Sequence, residues 1–140
     1  MDKTRSVLTK GQCASLAILG LNLYQQGKIA DAQVIFQGLA SDDSFYGYAG
    51  LGAVALSKEP PELDEAQRNL SRAAELNPND PSVHTNLGEV YLHQKKFAEA
   101  GSELQKALDL DREKRDPSAN RARALMLTLP AEIRDVPAQS

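Results

Sequence analysis

The sequence predicts an all-α fold, an α-solenoid of three repeats with a C-terminal capping helix. Apolar residues make up 41% of the 140-residue chain, but aromatic residues contribute only 5% and Trp is absent. A core must therefore be built mainly from Leu and Ala, which are strong helix formers. A second observation is a repeat with a period of 32 to 36 residues, which is typical of solenoids. A third is a set of small residues at equivalent positions within predicted helices.

The repeat is found by aligning the sequence with itself, with copies that start at Cys13, Phe45 and Pro81. Each copy contains a Leu-Gly pair and, later, an Ala that is followed four positions on by a bulky residue. The pairs are Leu19-Gly20, Leu51-Gly52 and Leu87-Gly88, and the later elements are Ala32/Phe36, Ala66/Leu70 and Ala100/Leu104.

The three glycines in register, Gly20, Gly52 and Gly88, indicate a packing requirement. Glycine inside a helix is less favourable than alanine by about 1 kcal/mol, so three equivalent glycines need a reason. Helices approach one another to about 8–10 Å, and the distance depends on the side chains in contact. We therefore expect each glycine at a point where two helices cross closely.

This pattern resembles the tetratricopeptide repeat, W-x2-L-G-x2-Y…A-x3-F…P, over residues 13–114. The resemblance implies that each repeat is a pair of antiparallel helices, called A and B. The repeats then span about 13–44, 45–80 and 81–114, with helices at about 13–26, 29–40, 45–57, 63–76, 81–94 and 97–110.

Prolines and aspartates mark the predicted helix boundaries. Pro60 and Pro61 cannot lie inside a helix, so the extra residues of the second repeat are expected in its A–B turn. Asp80 is expected to cap the fifth helix, with the proline that follows at its first position. Asp116-Pro117 repeats this signal and predicts a capping helix at 116–129, which covers the apolar face of the last repeat.

The two ends of the chain complete the predicted domain organisation. Residues 1–12 are expected to be an N-terminal extension, 13–129 the repeat domain and 130–140 a flexible tail.

The resemblance also implies a concave groove lined by the A helices, in which a partner protein binds. Carried over to this chain, the lining positions contain no Lys or Arg. A clamp of cationic side chains that binds a partner's carboxylate is therefore excluded, and an extended apolar segment is favoured as the ligand. The alternative is that several of these residues pack on the first and last helices. The predicted lining residues are Ala17, Leu21, Tyr24, Tyr46, Ala49, Ala53, Leu56, Thr85, Glu89, Leu92 and His93.

A closer resemblance is carried by residues 19–54, which include the YQQGK turn at 24–28 and the LGA at 51–53. This stretch is similar to the class II chaperones of type III secretion, which bind hydrophobic translocator subunits before export. The resemblance implies three repeats, a groove for an extended client segment and a secretion-chaperone function. The alternative is a scaffold or adaptor subunit of another bacterial assembly.

Other functional classes find little support in the residues. Cys13 is predicted to lie far from His84 and His93, so neither a catalytic pair nor a metal site is expected, and no cofactor motif is present. The charge of the basic residues between Arg112 and Arg123 is offset by Asp111, Glu113 and Asp116, which predicts a solvated helix junction. The chain is therefore predicted not to be an enzyme.

Charge, cysteine content and hydropathy bound the partners and the compartment. The net charge of −3 gives no reason to expect nucleic acid binding. The longest apolar stretch, 16–24, is too short to insert in a membrane. A single cysteine and a polar N-terminus predict a cytoplasmic protein. A homodimer is possible.

Overall fold

The computed structural model describes residues 7–134, and these fold into helices without strands. The predicted all-α class is therefore confirmed. The helices are α1 (Lys10–Gln25), α2 (Ile29–Ser41), α3 (Phe45–Ser57), α4 (Leu63–Leu76), α5 (Pro81–His93), α6 (Phe97–Leu110), α7 (Pro117–Met126) and α8 (Ala131–Arg134). The chain forms two compact units: unit 1 runs to Asn77 and unit 2 starts at Pro78.

Unit 1 contains α1 to α4, and each helix packs on the next. In addition, α1 packs on α3, so that the two A helices of the unit are neighbours. One cluster of the unit's core combines small and bulky side chains: Cys13, Ala17, Ala32, Phe36, Leu39 and Val54.

The glycines in register lie at equivalent helix crossings, as the sequence predicts. A Cβ atom added to Gly20 would lie 2.7 Å from a ring carbon of Phe36. Added to Gly88 it would lie 2.6 Å from Leu104, and at Gly52 it would meet Leu70 at less than 3.0 Å. The bulky residue of each repeat therefore fills the space that the glycine of the same repeat leaves open.

Two further glycines of α3, Gly47 and Gly50, form a second crossing that the repeat pattern does not reveal. A Cβ on Gly47 would lie closer than 3.0 Å to the backbone of Leu39 and Ala40 on α2. A Cβ on Gly50 would collide with the ring of Phe36, also on α2. Consequently α3 packs closely on the B helix of the preceding repeat as well as on its own.

The helix starts agree with the predicted caps. Thr9 and Gln12 also form a reciprocal capping box at α1, which was not among the predicted caps. Asp80 caps α5 through the backbone N–H of Ser82, with Pro81 as the first helical residue. The loop between Ser57 and Leu63 holds the extra residues of the second repeat and contains a cis Glu59–Pro60 peptide bond.

Unit 2 contains α5 to α8. Helix α7 begins at the predicted Asp116 cap and packs on both α5 and α6. The core is formed by Ala100, Leu104, Ala107, Ala122 and Leu129.

The ends of the chain differ from the predicted boundaries. The capping helix ends at Met126. Residues 131–134, expected within a flexible tail, form α8, because Ile133 packs against the core of unit 2 beside Gly101. At the other end α1 begins at Lys10, within the expected extension, and Asp42 accepts hydrogen bonds from the backbone of Val7 at 2.7 Å and of the next residue at 3.2 Å. The rest of the predicted extension, 1–6, and of the tail, 135–140, lie outside the described residues.

Candidate partner-binding surface

The surface formed by α1 and α3 in unit 1 is almost free of charge. Lys10 is the only charged residue of α1, and α3 has none, whereas α4 has five. Even so, Leu21 on α1 is 51% exposed and Tyr46 on α3 is 42% exposed. Helix α3 is apolar on almost all sides, and such a helix is normally buried, so its exposed side indicates a binding surface.

The other predicted lining residues of unit 1 lie at different depths. Tyr24 is half-buried and packs against the core, and Ala49, Ala53 and Leu56 on α3 are also half-buried. Ala17 is only 4% exposed and belongs to the core of the unit. Its methyl group has no surface left for a partner, so the prediction that Ala17 lines the groove is corrected.

In unit 2, Thr85 needs the same correction. It is 1% exposed, and its hydroxyl donates a hydrogen bond of 3.0 Å to the carbonyl of Ser118 on α7. The capping helix therefore covers this side of α5. Leu92 is half-buried against the core of unit 2, and His93 is exposed at the end of α5.

Glu89, the one charged residue predicted in the groove, has a cationic partner that sequence reasoning missed. Arg121 on α7 forms an ion pair with Glu89 and donates a 3.4 Å hydrogen bond to Asn86. The predicted lining positions themselves contain no Lys or Arg, but in unit 2 Arg121 of the capping helix lies against one of them. The repeated Asp-Pro-Ser start of α7 is the signal that could have revealed it.

An exposed isoleucine on α1 was also missed. Ile18 is 61% exposed and lies three residues before Leu21, so the two side chains share one side of the helix. Ile18 thus extends the apolar, charge-free surface of unit 1 beyond the predicted positions.

A buried polar cluster in unit 2 surrounds His84. Its Nδ1 lies 2.7 Å from Oε2 of Glu103, and its Nε2 lies 2.7 Å from the carbonyl oxygen of Pro78. Both neighbours accept hydrogen bonds, so with an ionised Glu103 both ring nitrogens donate and the imidazole is charged. Lys106 favours that ionised state, because its Nζ lies 3.1 Å from Oε1 of the same carboxylate.

The pKa directions agree with this geometry. The hydrogen bond to Glu103 raises the pKa of His84, against the opposing effect of burial. Burial by itself raises the pKa of Glu103, but the bonds from His84 and Lys106 outweigh it, and the pKa is lowered. The cluster therefore connects α5 to α6 and to the loop before α5 through a charged pair.

Two further residues that could have formed a functional site, Asp111 and Cys13, have contacts that stabilise the fold instead. Asp111 is 8% exposed and accepts hydrogen bonds from the backbone of Arg115 at 3.1 Å and of Asp116 at 3.2 Å, with Arg123 nearby. Burial tends to raise its pKa, but these donors lower it overall. Cys13 is a free thiol in the core.

Two kinds of feature are missing from residues 7–134. Their side chains form no cluster of three or more His, Cys, Asp or Glu that could hold a metal ion. Within the same range, every helix is too short or too polar to cross a membrane.

Comparison with known proteins agrees with the repeat pattern. Residues 62–120 match the family model of the tetratricopeptide repeat. Among curated proteins, no sequence matches the chain.

Solved structures with similar folds cover nearly the whole chain. PcrH of Pseudomonas aeruginosa, in complex with the chaperone binding region of PopD, is 29% identical with a TM-score of 0.74, over 91% of this chain and 97% of PcrH. PcrH with the corresponding region of PopB is 30% identical with a TM-score of 0.69, over 86% and 99%. SycD, a type III secretion translocator chaperone of Yersinia enterocolitica, is 26% identical with a TM-score of 0.73, over 86% and 85%.

Proposed function

We propose, from the premise that this chain belongs to the type III secretion translocator chaperones of the tetratricopeptide repeat family, that it holds an extended apolar segment of a hydrophobic client protein. It is a binding protein without catalytic activity in this proposal. Its task is to cover a segment that would otherwise aggregate and to release the client for secretion.

The observation that carries the proposal is the apolar, charge-free surface of α1 and α3, where Leu21 and Tyr46 are about half exposed. Bringing a charged or polar client segment to such a surface would leave its polar groups without partners, which is unfavourable. An apolar segment gains instead, by roughly 25 cal/mol for each Å² of apolar surface removed from water. Tyr46 offers a flat side chain with a hydroxyl, a type of residue that is common at interfaces.

The similar structures support the same class of ligand. PcrH is seen with the chaperone binding regions of PopD and PopB, and SycD is seen with a peptide of the translocator YopD. We extend this to an equivalent translocator client for the present chain. The proposal includes a cytoplasmic site of action, which the single buried cysteine supports, and a homodimer.

Titration with the chaperone binding regions of PopB and PopD as separate peptides tests the proposal. Leu21→Glu places a charge on the α1 surface, and Tyr46→Glu and Ala53→Asp do so on α3. Val34→Glu is the matched control, because Val34 is an apolar residue, 66% exposed, that belongs to α2 rather than to α1 or α3. We expect the first three variants to lose binding with an unchanged helical circular dichroism spectrum, while Val34→Glu binds like the wild type.

Chaperone and scaffold are separated by co-expression with the full-length client. A chaperone increases the soluble fraction of the client and is absent from the exported product, whereas a scaffold stays with the finished complex. Binding of neither peptide by the wild-type chain, or unchanged binding by the charged variants, would contradict the proposed surface.

A further inference from the structure

Helix α7 begins like α5, although it belongs to no complete repeat. The sequence Asp80-Pro81-Ser82 recurs 36 residues later as Asp116-Pro117-Ser118. In both, the aspartate Oδ1 accepts a hydrogen bond of 2.8 Å from the serine N–H and a second one from the serine hydroxyl. The spacing equals that between the starts of the second and third repeats.

The packing of α7 is also that of an A helix. Within unit 1, α3 packs on α2 and on the preceding A helix, α1. Within unit 2, α7 packs on α6 and on the preceding A helix, α5. Helix α7 therefore occupies the place of the first helix of a fourth repeat, and its residues can be numbered like those of the other A helices.

With Pro117 counted as the first residue, as Pro81 is in the third repeat, Arg121 is the fifth residue. It is equivalent to Ala17, Ala49 and Thr85. Where another A helix follows within the same unit, this position is buried, as at Ala17 and Thr85. No A helix follows α7 among the described residues, and the side chain of Arg121 is 46% exposed. Within unit 2 the surface of the A helix α5 thus continues onto α7, where it presents a guanidinium group.

Arg121 is joined on this surface by two polar side chains of α5. It forms an ion pair with Glu89, whose side chain is 20% exposed, and it donates to the side-chain oxygen of Asn86. A guanidinium has five N–H groups, so these two contacts leave further donors for a ligand. The α5/α7 surface is therefore polar, with donors and acceptors, whereas the α1/α3 surface is apolar.

We infer that Arg121, together with Glu89 and Asn86, binds the main chain of the client segment where that segment crosses α5 and α7. This inference rests on the proposed function. An extended segment has carbonyl and N–H groups along its length, and those that are buried without partners destabilise the complex. Arg121 supplies donors for carbonyl groups, and Glu89 supplies an acceptor for an N–H group.

The main chain suits this site better than an acidic side chain does. A client carboxylate would approach Arg121, but Glu89 already neutralises that guanidinium and would repel a second negative charge. A peptide group is neutral overall and has both a donor and an acceptor. The site therefore holds clients of different sequence.

Binding of a fluorescent chaperone binding region of PopB to the full chain tests the inference. Arg121→Met removes the donors and keeps the aliphatic stem. Arg115→Met is the matched control, because that side chain is 83% exposed and pairs only with Glu113 among the described side-chain contacts. We expect Arg121→Met to weaken binding about tenfold, as for the loss of one hydrogen bond to a charged group, and Arg115→Met to leave it unchanged.

A series of PopB peptides with single esters in place of amides identifies the contacted group. An ester removes one N–H and weakens the neighbouring carbonyl acceptor. We expect at least one ester to weaken binding to the wild type but to cause no further loss with Arg121→Met. If Arg121 only holds α7 on α5, Arg121→Met lowers the melting temperature and leaves the affinity unchanged, and the inference is overturned.

The remaining outcomes are also decisive. Esters that weaken binding to both chains equally would overturn the inference and leave the proposed function intact. Wild-type chain that binds neither PopB nor PopD would instead overturn the proposed function, and the inference with it. Should Arg121→Met fail to fold, Arg121→Lys keeps a cation for Glu89 without the planar donors, and it too is expected to weaken binding several-fold.

Discussion

The close packing of α3 on α2 makes a strong prediction for Gly47→Ala. The nearest atoms to an added Cβ are the backbone atoms of Leu39 and Ala40, all closer than 3.0 Å, whereas ordinary contacts are 3.4–4 Å. Backbone atoms inside a helix cannot rotate away as a side chain can. The two helices must therefore move apart, and this also disturbs the contact between Gly50 and Phe36.

The magnitude follows from two opposing effects. Overpacking of a core destabilises by about 1–3 kcal/mol, and we expect the upper end because the collision is with backbone. Alanine recovers about 1 kcal/mol of helix propensity relative to glycine. Gly47→Ala should therefore lower the free energy of unfolding by about 2 kcal/mol.

Gly38→Ala is the matched control, because Gly38 lies inside α2 and has nothing within 4 Å of an added Cβ. It should raise the free energy of unfolding by up to about 1 kcal/mol, since only the propensity changes. Urea unfolding followed by circular dichroism at 222 nm (a wavelength that reports helix) measures both variants. A Gly47→Ala chain as stable as the wild type, or as stable as Gly38→Ala, would refute the packing argument.

Two further predictions concern unit 2. The folded-state pKa of His84 lies above its unfolded value of 6.5, so its pairing with Glu103 stabilises fully below that pH and less as pH rises through the folded pKa. Between pH 6 and 9 the wild type should lose more stability than His84→Gln in urea unfolding, and equal losses would contradict the charged pair. Asp116→Ala removes the cap of α7 and should lower the free energy of unfolding by about 1 kcal/mol in the same assay, whereas no change would show that the cap is unimportant.

The repeat architecture was predictable from the sequence because its signals are local or periodic. Gly20, Gly52 and Gly88 recur in register with a bulky residue later in the same repeat, so a crossing within each helix pair can be read directly. Asp80 and Asp116 each precede a proline, and a cap needs only neighbouring residues. These features depend on short stretches of chain.

Contacts between different repeats were harder to predict. Gly47 and Gly50 pack on the preceding B helix, but the other repeats have no glycine at the equivalent positions, so no periodic signal marks the crossing. Thr85 was expected to line a groove, and only the position of α7 shows that it is buried. The pairing of Arg121 with Glu89 depends on the packing of α7 on α5 and on a long side chain, neither of which a sequence pattern specifies.

The composition of α3 has a consequence for the protein's own solubility. Its 13 residues, FYGYAGLGAVALS, contain three glycines and no charge. Outside the folded hairpin such a stretch is a weak helix and lacks the charged residues that discourage self-association. Any local opening of unit 1 therefore exposes a segment with the same chemistry as the client segments that the protein is proposed to shield, and the chaperone is most prone to aggregate through the helix on which its binding surface depends.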